Sequence, residues 1–152
     1  MRDEEAVRQF VERMGRTLAD WGVPPMAARV LLTVMTADED ALTAVDLAER
    51  LEVSPAAISG AVRHLMTIGL IRREPVPGSR RDLYMLISET WWEATVTKMT
   101  RLRALSALTD EGVVAVGGEK TRPGRTLAEM RDFLDFFDEE LPALLEKWRA
   151  RN

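Results

Sequence analysis

Between residues 43 and 87 the sequence alternates helix starts, stops and turn signals so closely that few folds can accommodate it. Thr43, with Asp46 three residues on, is an N-cap pattern that opens the short helix AVDLAERLE. A tight turn around Glu52 to Ser54 follows. Ser54-Pro55 then starts a second helix, SPAAISGAVRHLMTIG, which Gly69 stops. Leu70 to Glu74 read as a strand, PVPGS as a hairpin tip, and Leu83 to Ile87 as the returning strand.

Two helices joined by a tight turn and followed by a β-hairpin make the order of a winged helix-turn-helix. The flanks are helical. Val7, Phe10, Val11, Met14, Leu18 and Trp21 recur at three- and four-residue spacings over residues 3 to 21, which predicts an amphipathic helix. Gly22 and Pro24-Pro25 end it and start another, AARVLLTVM, apolar nearly all round and therefore expected to be buried. Downstream, Ser88 can cap a long helix running past Trp91 and Trp92 to Leu108 and stopping by Gly117-Gly118. After the loop EKTRPG, Thr126 and Glu129 form a capping-box pattern for a last helix, which Pro142 is expected to kink. The expected fold is mainly α with a small β-hairpin wing. An N-terminal helix (1–23), a winged helix-turn-helix region (24–87) and C-terminal helices (88–152) are expected to form one intertwined domain, with the two flanks as the candidate dimerisation segments.

Composition removes several function classes. The 152 residues include no cysteine and one histidine, His64, so thiol redox sensing, iron-sulfur clusters and His-rich metal sites are excluded. No nucleophile-base pair, phosphate loop or metal cluster is visible, which argues against an enzyme and against any cofactor. The N-terminal segment is charged from its second residue and lacks an apolar stretch, so neither a signal peptide nor a membrane span is expected, and the cytoplasm is the expected location.

The net charge of −4 opposes indiscriminate nucleic-acid coating, but the charge is unevenly spread. Residues 1–42 carry 5 basic against 8 acidic side chains, residues 43–87 carry 6 against 5, and residues 88–152 carry 10 against 12. Within residues 53–81, Arg63, Arg72, Arg73, Arg80 and Arg81 face Glu74 alone. Every aromatic except Tyr84 lies outside the middle segment. Large packing surface therefore belongs to the ends and a basic polar surface to the middle.

A helical wheel from Ile58 gathers Ala61, Val62, Leu65, Met66 and Ile68 on one arc for packing. Ala56, Ser59, Gly60, Arg63, His64 and Thr67 fall on the other. That second arc suits a DNA groove: Ser59 can donate or accept, Arg63 can grip a guanine edge or a phosphate, and Ala56 and Gly60 permit close approach. The helix start at Ser54 aims backbone amides at a phosphate, although a cap is the simpler role for that hydroxyl. Arg80 and Arg81, at the base of the hairpin tip, can reach a neighbouring minor groove, with Asp82 orienting one guanidinium. Arg72 and Arg73 straddle the strand faces, and Asp46, Glu49, Glu52 and Glu74 are expected to be a solvated face. Candidate DNA contacts are thus Thr43, Ser54, Ala56, Ser59, Gly60, Arg63, His64, Arg80 and Arg81.

The run LTAVDLAERLEVSPAAISGAVRHLMTIGLIRREPVPGSRRDLYML resembles the winged-helix core of MarR-type transcriptional regulators. Ile58-Ser59 followed by Arg63, with Gly69-Leu70-Ile71 and Arg80-Arg81-Asp82, is most similar to the GbsR-like branch. The resemblance implies a homodimer whose first and last helices interlock and whose recognition helices enter successive major grooves of double-stranded DNA. It places Ser54, Ser59 and Arg63 on the recognition helix and Arg80 and Arg81 on the wing; Gly60 stands where a larger polar residue is common. Val7, Phe10, Val11, Met14, Phe133, Phe137, Leu141, Leu144 and Trp148 are the expected dimerisation residues. Such regulators commonly bind small, often aromatic, effectors, which directs attention to Trp21, Trp91 and Trp92, although tryptophan at helical spacing is more often core. The expected function is a dimeric, operator-binding regulator, a repressor modulated by a small aromatic or apolar ligand. The competing reading is a winged-helix module that bridges proteins without reading DNA.

Overall fold

The computed structural model describes residues 1–88, 92 and 102–151, which fall in two compact units, Met1–Trp91 and Trp92–Asn152. The first unit contains α1 (Glu4–Asp20), α2 (Pro25–Met35), β1 (Leu42–Thr43), α3 (Ala44–Leu51), α4 (Pro55–Thr67), β2 (Ile71–Pro75) and β3 (Asp82–Leu86). The second contains α5 (Leu102–Ala115) and α6 (Arg122–Arg149). The chain is mostly helical with one small antiparallel sheet.

In the first unit, Asp3 caps α1 by accepting from the Ala6 amide at 3.0 Å, and Glu4 and Glu5 complement the positive end of the helix. The apolar α2 is buried on nearly every side, through Ala27, Ala28, Val30, Leu31, Leu32, Thr33 and Val34. Around it lie the fully buried Leu42, Leu47, Ile58, Leu65 and Ile71. They come from β1, α3, α4 and β2, so one core fixes the mutual placement of α3, α4 and the sheet.

The wing has three strands where the sequence shows two. The sheet order is β1-β3-β2, with Leu42 opposite Tyr84 and Ile71 opposite Leu86. The extra strand is two residues long and merges into the cap of α3, too short for a period-2 pattern to register. Both longer strands are shifted by one residue from the expected ends. Ile68 is a further departure, because Gly69 at φ 73° ends α4 at Thr67. Ile68 therefore leaves the helical wheel and is 40% exposed rather than packed.

In the second unit, Val113 of α5 and Ala128, Leu134 and Leu141 of α6 are buried. Arg131 reaches from α6 to Asp110 at 2.8 Å and Glu119 at 2.9 Å, Arg103 reaches Asp138 at 2.7 Å, and the Ser106 hydroxyl donates to Asp135 at 2.5 Å. The expected capping box at Thr126 and Glu129 is replaced by an earlier start. Thr121 caps α6, accepting from the Gly124 amide at 3.0 Å, and Pro123 lies in the first turn. Gly124 is required there, since a Cβ would stand 1.9 Å from the Gly118 carbonyl oxygen. Thr126 is consequently inside the helix. The helix continues on both sides of Pro142, which has no amide hydrogen for the Asp138 carbonyl.

Candidate nucleic-acid interface

The approach to α4 is built by the end of α3. Glu52 adopts the left-handed conformation at φ 53°, and the Glu52 and Val53 amides donate to the Glu49 and Ala48 carbonyls. These bonds close the Schellman pattern that stops a helix. The Ser54 hydroxyl then accepts from the Ala57 amide at 3.3 Å, and Pro55 occupies the first turn of α4. Ser54 thus acts as a cap, leaving its hydroxyl hydrogen for an outside acceptor.

From that start, Ile58, Ala61, Val62 and Leu65 turn inward and are buried. Ala56, Ser59, Gly60, Arg63 and Thr67 are exposed, and His64 is half-buried at the margin. A Cβ placed on Gly60 would meet nothing within 4 Å, so this glycine serves no internal packing. Among the described residues, no carboxylate pairs with the Arg63 guanidinium.

At the wing tip, the Ser79 amide donates to the Val76 carbonyl at 3.1 Å around Pro77 and Gly78. Gly78 has φ 74°, the conformation a type II turn demands after proline. The Ser79 hydroxyl accepts from the Arg81 amide at 3.1 Å and shapes the base of the tip, a role with no signal in the residue pattern. Arg80 and Arg81 are exposed, and neither guanidinium is ion-paired among the described residues.

The acidic side chains near this face have duties other than those expected. Asp82 pairs diagonally across the strands with Arg73 at 3.6 Å and does not orient Arg80 or Arg81. Arg72 pairs with Glu74 at 3.1 Å. Asp46 belongs to a complete capping box: its carboxylate accepts from the Thr43 hydroxyl at 2.6 Å and the Thr43 amide at 2.8 Å. Those bonds, the hydroxyl's first, hold the Asp46 carboxyl below the usual carboxylate range. The Thr43 hydroxyl also accepts from the Asp46 amide, so it is engaged as donor and acceptor at once.

The expected dimerisation residues divide by exposure. Val11 is buried in the core of the first unit, with Val7 packed against it, while Phe10 and Met14 are exposed on α1. On α6, Leu141 is buried, and Phe133, Phe137, Leu144 and Trp148 are exposed beside Phe136. The Phe133 and Phe137 rings lie 4.9 Å apart. Of the three tryptophans considered for a ligand, Trp21 is 80% exposed at the end of α1, and Trp91 lies outside the described residues. Trp92 borders an apolar cavity of about 470 Å³ with Leu141, Leu144, Leu145 and Trp148. No described helix is long and apolar enough to cross a membrane.

Residues 21–82 match the family model described as the MarR family, and residues 89–151 match that of MmpR5-like MarR family transcriptional regulators. The HTH-type transcriptional regulator MmpR5 of Mycobacterium tuberculosis is 28% identical over 148 residues, spanning 97% of this chain and 90% of that protein. A crystal structure of a transcriptional regulator superposes with a TM-score of 0.76 at 27% identity, over 95% of this chain and 99% of that one.

Proposed function

The chain belongs to the MarR family of winged-helix transcriptional regulators, and on that premise we propose that it is a homodimeric repressor reading a pseudo-palindromic operator in double-stranded DNA. The observation that carries this reading is an α4 face of Ser59, Gly60 and Arg63, with Arg80 and Arg81 on the wing, whose guanidiniums have no carboxylate partner among the described residues. An unpaired guanidinium on this exposed face is available to a phosphate or a guanine edge. Ala56, Gly60 and the Ser54 end of the helix allow the backbone to approach, and His64 borders the contact. Thr43, its hydroxyl fully engaged, belongs to the fold. Placement in the GbsR-like branch is part of the same proposal, resting on Ile58-Ser59, Arg63 and Arg80-Arg81-Asp82.

The dimer reading is supported by Phe10 and Met14 on α1 and by Phe133, Phe137, Leu144 and Trp148 on α6, large apolar side chains exposed in one chain. Two-fold symmetry then spaces the half-sites about 34–36 Å apart. A small aromatic or apolar ligand, in the Trp92 cavity, would lower DNA affinity by favouring a dimer geometry that misses this spacing. A protein that regulates transcription in this way works in the cytoplasm.

The test is a titration of the purified protein with a duplex taken from upstream of its own gene, against a scrambled duplex of equal length. Preference for the first, with one dimer bound, is expected. Arg63→Ala should weaken that complex roughly 10- to 100-fold with unchanged circular dichroism, the range of one bidentate base contact. Equal binding by wild type, Arg63→Ala and Arg81→Ala would remove this face as the reader and favour the protein-bridging alternative.

A further inference from the structure

Arg29, in the second turn of α2, holds two other helices of the same unit. Its Nε donates to Glu12 Oε1 of α1 at 2.7 Å, and its Nη2 donates to the Leu51 carbonyl at the end of α3 at 3.2 Å. The stem crosses α1 at Gly15, where a Cβ would stand 3.3 Å from Arg29 Cγ. Glycine is a poor helix former in mid-helix, and Gly15 is buried, so its presence fits the need to let that stem pass. Among the described residues, Arg29 is the one side chain hydrogen-bonded to both α1 and α3.

The Leu51 carbonyl is one of the last acceptors of α3. Those of Ala48 and Glu49 are satisfied by the turn itself, through the Val53 and Glu52 amides, and Leu51 is satisfied by Arg29. The next residues are left-handed Glu52, Val53 and Ser54, the cap of α4. Arg29 therefore grips the backbone immediately before the turn that aims α4. Its outer side borders a cavity of about 500 Å³ between α1, α2 and α3, so it is not clamped by packing on every side.

We propose that Arg29 is a positioning residue for α4: it ties the α3–α4 turn to α1, so that a shift of α1 is passed to the helix offered to DNA. The proposal rests on the reading of α4 as the DNA-facing helix. Its linkage part, within the free protein, does not. The Arg29–Glu12 pair adds a polar link between α1 and the turn to the apolar core that they share. A merely structural Arg29 would stabilise the unit without singling out that turn.

The experiment compares wild type, Arg29→Met and Glu12→Gln in the full chain, by residue-resolved amide hydrogen exchange without DNA and by binding to the upstream duplex. In Arg29→Met, exchange at the Glu52 and Val53 amides should rise roughly tenfold relative to the wing amides of β2 and β3, and duplex affinity should fall by a similar factor. Glu12→Gln keeps an acceptor for Nε and should lie between. If Arg29→Met does not fold, Arg29→Lys takes its place: a single ammonium lacks the fixed fork with which the guanidinium meets the two acceptors, and the same two changes are expected, smaller. Uniform acceleration across the unit, or none, would overturn the proposal, as would faster turn exchange with unchanged duplex affinity. Selective turn exchange in a protein whose wild type binds no duplex would leave the linkage standing and strike down the DNA reading instead.

Discussion

Arg63, Arg80 and Arg81, on α4 and the wing tip, stand in surroundings opposite to those of Arg103 and Arg131 on α5 and α6. Arg131 is shared by Asp110, Glu119 and Asp132, which hold its protonated form above the usual arginine range, with Asp110 contributing most. Arg103 is held by Asp138. The first three arginines form no ion pair among the described residues, Arg81 lying only near enough to Asp46 to favour its carboxylate. Residue type and local density do not separate the two sets; occupancy by a partner does. Even within residues 53–81, Arg72 and Arg73 are paired, so of the five arginines seen in the sequence three are without an ion pair among the described residues.

The sharpest way to break this contrast is to remove one arginine from each set. Arg81→Ala should lower duplex affinity severalfold and reduce the magnitude of the slope of log affinity against log salt by about 1, the mark of one lost phosphate contact. Arg131→Ala should leave affinity and slope unchanged while lowering the melting temperature, since it unties Asp110 and Glu119 from α6. A changed slope in Arg131→Ala would dissolve the distinction. Fluorescence anisotropy at several salt concentrations, with thermal unfolding of the same samples, measures both.

A second contrast separates side chains that hold the helix-turn-helix from those it offers. Thr43 is on the holding side, so Thr43→Ala should cost about 1 kcal/mol at neutral pH, as lost caps do, with duplex affinity of the folded protein unchanged. The pH dependence carries a sign. Asp46 has a folded-state pKa below its unfolded value near 3.8, so its contribution is present above that value and disappears as pH falls through the folded one. The stability gap between wild type and Thr43→Ala should therefore narrow below about pH 4. Thermal melts at pH 7 and pH 3 decide this; a gap independent of pH would mean the Thr43 hydroxyl is not acting through the Asp46 carboxylate.

Much of this was legible in residue order, because caps, stops and turn residues act locally. Thr43 with Asp46, Ser54-Pro55, Gly69 and Pro77-Gly78 each declare an element boundary through their own backbone preferences. Four inward residues of α4 followed from the 3.6-residue period. The partners of the charges were not legible, since Arg73 meets Asp82 only through the diagonal register of β2 and β3. Arg29 carries no local signal: its three neighbours, at residues 12, 15 and 51, converge only after three helices pack. Thr126 with Glu129 reads as the cap in sequence, whereas Thr121 caps α6 in the fold. The choice between them is made by the close approach of Gly124 to Gly118, a tertiary fact.

The smallest expected effect concerns Gly60, where stability and reading should move in opposite directions. Nothing within 4 Å would contact an added Cβ, and Gly60 is in the middle of a 13-residue helix. Gly60→Ala should then stabilise the protein by up to about 1 kcal/mol, the propensity difference between the two residues, visible as a higher melting temperature. The same methyl would stand on the face between Ser59 and Arg63, where close approach of the backbone to a groove is the reason to tolerate glycine. Duplex affinity should fall a few-fold in the more stable protein. If Gly60→Ala raised the melting temperature and left affinity intact, close approach would not explain the glycine, and the contact with DNA would be carried by the side chains of Ser59 and Arg63 alone.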